Sequence, residues 1–250
     1  DTGTGLSRCR TRGLVKEVPV SSVAWTGARR IIRSLHPPID LFEDIADPED
    51  WALLISAEQK SNPRILESVG RLDLVPPQRR VSGPGASFLM APFTHASRDR
   101  PSRFSAGQYG VLYAGDCFEV ALFETIHHHE RLMRATHEEP GWTSQFRELL
   151  LNIDASLADL RLDRERFAPE LDPHSHAAGQ TLGKHLREAG RDGVVYPSVR
   201  YPEGSAAALF HPDLASLPVQ GRHLDYHWNG EDVDLVRDHA RKQVFRVKRS

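Results

Sequence analysis

Residues 93–125 read FTHASRDRPSRFSAGQYGVLYAGDCFEVALFET, and this stretch sets the fold. Gly110-Val111-Leu112-Tyr113-Ala114 is short, apolar and bounded by glycines, the pattern of a buried strand. Gly115 ends it, Asp116 stands at an N-cap position, and Glu119 follows three residues later as its capping-box partner. The helix beyond carries one apolar stripe: Phe118, Ala121, Leu122, Thr125, Ile126, His129, Leu132 and Met133. Glu124 falls off that stripe, beside Val120, His127 and Arg131, on a face that meets either solvent or a cleft. The loop before the strand is polar and arginine-rich, and it delivers Arg103 to the strand's mouth.

Working outward, strands are predicted at Ser87–Phe93, Thr143–Ile153, Gly193–Tyr196, Ala206–Phe210 and Val244–Val247, with a hairpin turn at Asn229-Gly230. Asp154 to Leu171 reads as a short helix and a surface loop. A helix from His176 to Ala189, capped by Ser175 and closed by Gly190, has Ala177, Ala178, Gly179 and Gly183 on it, which implies close backbone packing. Toward the N-terminus, Ala24, Ala28, Ile31 and Leu35 have helical spacing over 22–35. Asp47-Pro48 opens a second helix through Trp51, Leu54 and Ile55, and Arg64–Val69 makes a third, stopped by Gly70. Val81-Ser82-Gly83-Pro84-Gly85 is a hinge-like break without a phosphate-loop pattern. The expectation is an α+β protein with a loose arm at 1–20, a helical N-terminal extension at 21–80 and a main domain at 81–250.

Composition excludes several classes. The 250 residues are 39% hydrophobic and 26% charged, ordinary for a globular protein. A net charge of -2 gives no global basic field for nucleic acid, so no direct nucleic-acid contact is expected. Residues 8–34 hold seven Arg or Lys against one acid, Glu17, a local bias suited to a solvated face or an acidic partner protein. No apolar run reaches the ~18 residues of a membrane span, and the first residues lack the apolar core of a signal peptide. Two cysteines, Cys9 and Cys117, rule out a disulfide framework, and a cytoplasmic location is the expectation. His127, His128 and His129 are consecutive, so on a helix they diverge by about 100° each and no metal site is expected from them. His128 instead stands four residues from Glu124, where it can neighbour that carboxylate.

Taken singly, Glu124, Arg103, Tyr113 and His95 each have an ordinary structural explanation. Together with Ser102-Arg103-Phe104-Ser105, Gly110–Ala114, Ala121-Leu122-Phe123-Glu124, Tyr196-Pro197-Ser198 and Ala208–Pro212, they resemble the RES domain, named for its Arg, Glu and Ser. The likeness spans roughly residues 85–215, the size of one domain. It implies an ADP-ribosyltransferase-like split β-sheet core, the toxin role in a bacterial type II toxin–antitoxin pair, NAD as a consumed substrate, and an Xre-like antitoxin as partner. Many members carry an arginine on the first strand; with 87–93 read as that strand, His95 takes the place.

By this resemblance Glu124, Arg103 and Ser198 are the catalytic set, and His95, Arg103, Tyr113 and Ser198 bind the dinucleotide. The chemistry suits them. Nicotinamide leaves NAD neutral, so the site needs no general acid, only negative charge near a sugar cation. One carboxylate, Glu124, supplies it. Arg103 offers a forked donor set to phosphate, Tyr113 a flat wall, Ser198 a donor to ribose or to Glu124, and His95 a hydrogen bond at the mouth. The acceptor names the reaction: transfer to a protein side chain, a mono-ADP-ribosyltransferase, is the leading expectation, and transfer to phosphate (a phosphorylase) or water (a glycohydrolase) is the alternative. A phosphorylase would want cations beyond Arg103, with Arg98, Arg100 and Arg200 available. A serine hydrolase is disfavoured because Ser205 is followed by three alanines rather than by Gly-x-Ser-x-Gly spacing. A non-catalytic binding protein is the other alternative.

Overall fold

Leu112–Gly115 forms β2 and Phe118–Thr136 forms α4, as the central stretch predicts. The computed structural model describes residues 17–62 and 64–248. Most of the arm at 1–20, with Cys9, lies outside them. Around β2, the other strands are β1 (Val20–Arg33), β3 (Thr143–Asp159), β4 (Gly193–Pro197), β5 (Ser205–Leu209), β6 (Val219–Trp228), β7 (Val233–Asp238) and β8 (Gln243–Arg246). The helices α1 (Trp51–Glu58), α2 (Ile65–Val69), α3 (Ala86–Thr94) and α5 (Ala177–Glu188) complete an α+β architecture.

The sheet runs β1-β2-β5-β4-β3-β6-β7-β8, and β1 also pairs with β3, so the first five strands close on themselves. The 17-residue β3 makes this arrangement. One edge pairs with β1 from Phe146 to Ala158. The other edge is split: its first half pairs with β6, and only Ala158 and Asp159 reach β4. The split sheet expected from the resemblance is therefore built on one long strand. A core of α3, Trp51 and Phe42 fills one side. The stripe of α4 packs on Phe146, Tyr226 and Trp228, while Leu182 and Leu186 of α5 pack on Val194 and Phe210.

Four expectations are corrected. Residues 22–35 are not a helix but most of β1. A register shift between Trp25 and Ala28, with Gly27 at φ +71, breaks the two-residue alternation. Both faces of the strand are covered beyond it, Ala28 by one core and Ile31 by another, and the resulting three-residue spacing mimics a helix. Residues 87–93 are not a strand but the buried helix α3, whose N-terminal Gly85 and Ser87 N–H groups bind the Glu43 carboxylate. A short run apolar all round does not announce its period. Asp116 does not cap α4; Cys117 is the N-cap, and Asp116 Oδ2 accepts from Ser205 N at 2.8 Å, tying the helix start to β5. The second helix also begins later than read, at Trp51 after a turn closed by Asp50 N donating to Asp47 O.

Candidate active site

The elements that hold Arg103 explain why its loop is ordered. α5 lies directly on the 102–105 backbone: a Cβ at Gly179 would come within 2.6 Å of the Arg103 carbonyl oxygen, and one at Gly183 would overlap that of Phe104. The small residues of α5 have the close-packing role expected of them. Gln180 Nε2 donates to Ser102 O at 3.0 Å. From the sheet side, the Tyr113 phenol accepts from Phe104 N at 3.0 Å and donates to Ser102 Oγ at 2.9 Å. Arg103, 9% exposed as a residue, donates from its guanidinium to the carbonyls of Glu170 and Asp172.

Glu124 rises from the second turn of α4. That turn sits close to β2 and β5 because Gly115 and Gly204 leave room for Val120. Its carboxylate, 30% exposed, stands 4.0 Å from Arg200 Nε. Burial pushes the Glu124 pKa up, and the charges of Arg200 and Arg103 and a hydrogen bond from Ser198 pull against it. Ser198 is well set for that bond. Its Oγ accepts from the backbone N–H groups of Arg200 and Tyr201, which leaves its own proton to donate. Arg200 is 22% exposed, and its Nη2 meets His127 Nε2 at 2.8 Å.

A cleft of ≈ 280 Å³ is lined by Glu124, Tyr113, His128 and Arg30 among others. Arg30 is the residue that sequence reasoning missed. It projects from β1, donates to Tyr113 O at 2.9 Å, and has its pKa lowered to about 10 by burial, with Tyr113 opposing. Within the helix predicted over 22–35, off the Ala24, Ala28, Ile31 and Leu35 stripe, it carried no signal; its position on the first strand is legible only once β1 pairs with β3. His128 shares the cleft with Glu124 as its spacing implied, but burial and Arg131 and Arg200 hold its pKa at about 4, so it is a neutral neighbour at physiological pH. His127 turns to Arg200, and His129 is buried against Phe146 and Tyr226. Among the described residues no group of three or more His, Cys, Asp or Glu converges as metal ligands.

Glu124, Arg103, Tyr113 and Ser198 are thus brought together. His95 is not with them. It ends α3, its ring beside Ala91 O and Glu67 O, and lines a separate hollow with Arg71 and Arg100. The reason is a second misread element: α3 is a helix and not the first strand, so its end does not open on the cleft. Arg100 goes with His95, whereas Arg200 and Arg30 supply the additional cations.

Residues 77–229, more than half of the chain, match the RES domain, and the protein belongs to that family. The uncharacterized protein y4oC of Sinorhizobium fredii (strain NBRC 101917 / NGR234) is 27% identical over 210 residues, covering 83% of this chain and 85% of that protein. The crystal structure of the M. tuberculosis MbcT–MbcA toxin–antitoxin complex contains a similar chain at 11% identity and a TM-score of 0.40, covering 80% of this chain and 86% of that one. Among the described residues no helix is long and apolar enough to cross a membrane.

Proposed function

We propose that this chain is the toxin of a bacterial toxin–antitoxin pair and that it consumes NAD by breaking the nicotinamide–ribose bond at Glu124. The supporting observation is one half-buried carboxylate that stands 4.0 Å from Arg200, feels the charge of Arg103 and is hydrogen-bonded by Ser198, in a cleft walled by Tyr113. The bond from the ring nitrogen to the anomeric carbon breaks, and its electron pair goes to nicotinamide, which leaves neutral. The ribosyl cation left behind faces Glu124. Ser198 orients the carboxylate, Arg103 and Arg200 take the diphosphate, and Tyr113 walls the ribose while its phenol keeps the Arg103 loop in place.

An acceptor oxygen then bonds to the anomeric carbon. Transfer to a protein side chain would be mono-ADP-ribosylation. A specific observation favours inorganic phosphate instead: Arg30 is a third guanidinium, on the wall shared with Glu124 and Tyr113, beyond the two that a diphosphate needs. Phosphorolysis gives nicotinamide and ADP-ribose 1-phosphate, with atoms and charge balanced. An Xre-like antitoxin that covers the cleft would silence either reaction.

The experiment is to incubate the purified protein with NAD in three mixtures: with phosphate, without phosphate, and with a bacterial lysate. Nicotinamide release stimulated by phosphate, with the sugar phosphate as co-product, is expected. Label fixed on lysate protein instead would assign the transferase. No nicotinamide in any mixture sinks the reading.

A further inference from the structure

The Glu124 cleft, at ≈ 280 Å³, falls at the lower limit of small-molecule sites, roughly 300–1,000 Å³, and it cannot enclose a whole dinucleotide. The remainder must run over its edge. Across the α4 ridge lies a larger hollow of ≈ 680 Å³, bounded by α4, the 199–203 turn and Val247–Lys248. Arg200 joins the two. Its Nε is 4.0 Å from Glu124 on one side, and its Nη2 is 2.8 Å from His127 Nε2, which lines the other.

The larger hollow is lined by a stacked aromatic pair, Phe123 and Tyr201. Phe123 and Tyr201 stack with ring centroids 5.9 Å apart and planes 10° from parallel. Tyr201 is held at its edge by its phenol donating to Glu203 at 3.0 Å. Its backbone N–H donates to Ser198 Oγ at 3.1 Å, which ties the pair to the residue that orients Glu124. Every base has a π-face that can extend such a stack.

We infer that this hollow is the adenosine subsite: adenine stacks on the Phe123–Tyr201 pair, the diphosphate passes beneath Arg200, and the nicotinamide ribose reaches Glu124. The inference rests on the NAD reading and adds two specificity residues to it. Neither Phe123 nor Tyr201 touches the reacting bond. They act by selecting the dinucleotide over its mononucleotide half.

The test compares NAD with nicotinamide mononucleotide, and titrates AMP separately. Tyr201→Ala and Phe123→Ala should each raise KM for NAD about tenfold, leaving kcat and the mononucleotide kinetics unchanged. Tyr201→Trp, which keeps a ring, should retain wild-type KM. AMP should bind the wild type and lose about tenfold in affinity with Tyr201→Ala. Equal effects on NAD and mononucleotide, or none on either, overturn the subsite while leaving the glycosidic reading intact. A change in protein labelling without a change in KM for NAD overturns it too, assigning the hollow to an acceptor. If nicotinamide is released from neither substrate, the glycosidic reading fails, and AMP decides the subsite alone: binding lost with Tyr201→Ala supports a purine site, and no binding to the wild type overturns it.

Discussion

The Arg200 guanidinium faces the Glu124 carboxylate at 4.0 Å, and its charge pulls that carboxyl's pKa down against the upward push of burial. Glu124→Gln removes the negative charge while keeping shape and part of the hydrogen bonding. The side chain is partly exposed, so the fold should tolerate the change. Nicotinamide release should fall by about 10²–10³ at unchanged melting temperature. An active Gln variant would remove Glu124 from the chemistry.

Acid dependence follows from the same pair. Glu124 must be ionised, and its pKa is raised above the ordinary value of 4.5, chiefly by burial. Activity should therefore be full at neutral pH and fall as pH drops through an inflection above that value. His127 and His128, both held at about 4 by burial and nearby arginines, add no inflection between pH 6 and 8. Arg200→Ala removes a charge that favours the carboxylate, so its inflection should move to higher pH. A pH–rate profile for kcat checks both; an inflection unmoved by Arg200→Ala would separate the two residues.

Much of this site was legible before the fold was. The order Arg103, Tyr113, Glu124, Ser198 sits on elements whose signals are local: glycine-bounded strands, an amphipathic helix, an arginine loop. The Asn229-Gly230 turn was legible for the same reason, since Asn229 Oδ1 accepts from Glu231 N and Asp232 N within the turn itself. What failed was set by distant pairing. β1 depends on contacts more than a hundred residues away, such as Arg30 with Leu149, and a bulge scrambles its alternation. That error hid Arg30, and reading 87–93 as the first strand promoted His95. α3 failed because its half-exposed positions, Phe88, Ala91 and Pro92, are as apolar as its buried ones, so no polar face marks the helical period.

Tyr113 has two assigned roles, wall and clamp, and they are separable. Tyr113→Phe keeps the ring and deletes the phenol that accepts from Phe104 N and donates to Ser102 Oγ. The buried groups left behind should cost about 1–3 kcal/mol of stability. Arg103 would lose one of its positioning contacts, so KM for NAD should rise more than kcat falls. Tyr113→Leu should lower kcat as well. Identical kinetics for the two variants would mean that only the phenol matters.

The α5 contact predicts a contrast between two glycines. At Gly183 a Cβ would overlap the Phe104 carbonyl oxygen, and the obstacle is backbone rather than a flexible side chain. Gly183→Ala should push α5 off the 102–105 loop, destabilise the fold by about 1–3 kcal/mol and weaken dinucleotide binding. At Gly190 nothing lies within 4 Å, but φ is +72. Gly190→Ala should cost about 1 kcal/mol of left-handed strain and leave KM alone. Thermal melts and steady-state kinetics on both proteins test whether α5 acts through Arg103.

His129 carries the stability counterpart of these effects. It is 4% exposed, beside Phe146 and Tyr226, and burial with Arg33 nearby lowers its pKa from 6.5 to about 4. The unfolded chain therefore binds a proton near pH 6.5 that the folded chain refuses until about pH 4. Stability is full above 6.5 and is lost progressively as pH falls through that window, by on the order of 3 kcal/mol at the lower end. His129→Phe has no proton to bind, so its stability should vary less over the same window. Denaturant unfolding at pH 7.5 and pH 5 measures the difference: His127 and His128, lowered alike, keep part of the loss in both proteins, a smaller loss in the variant assigns the remainder to His129, and an equal loss in the two would place it elsewhere.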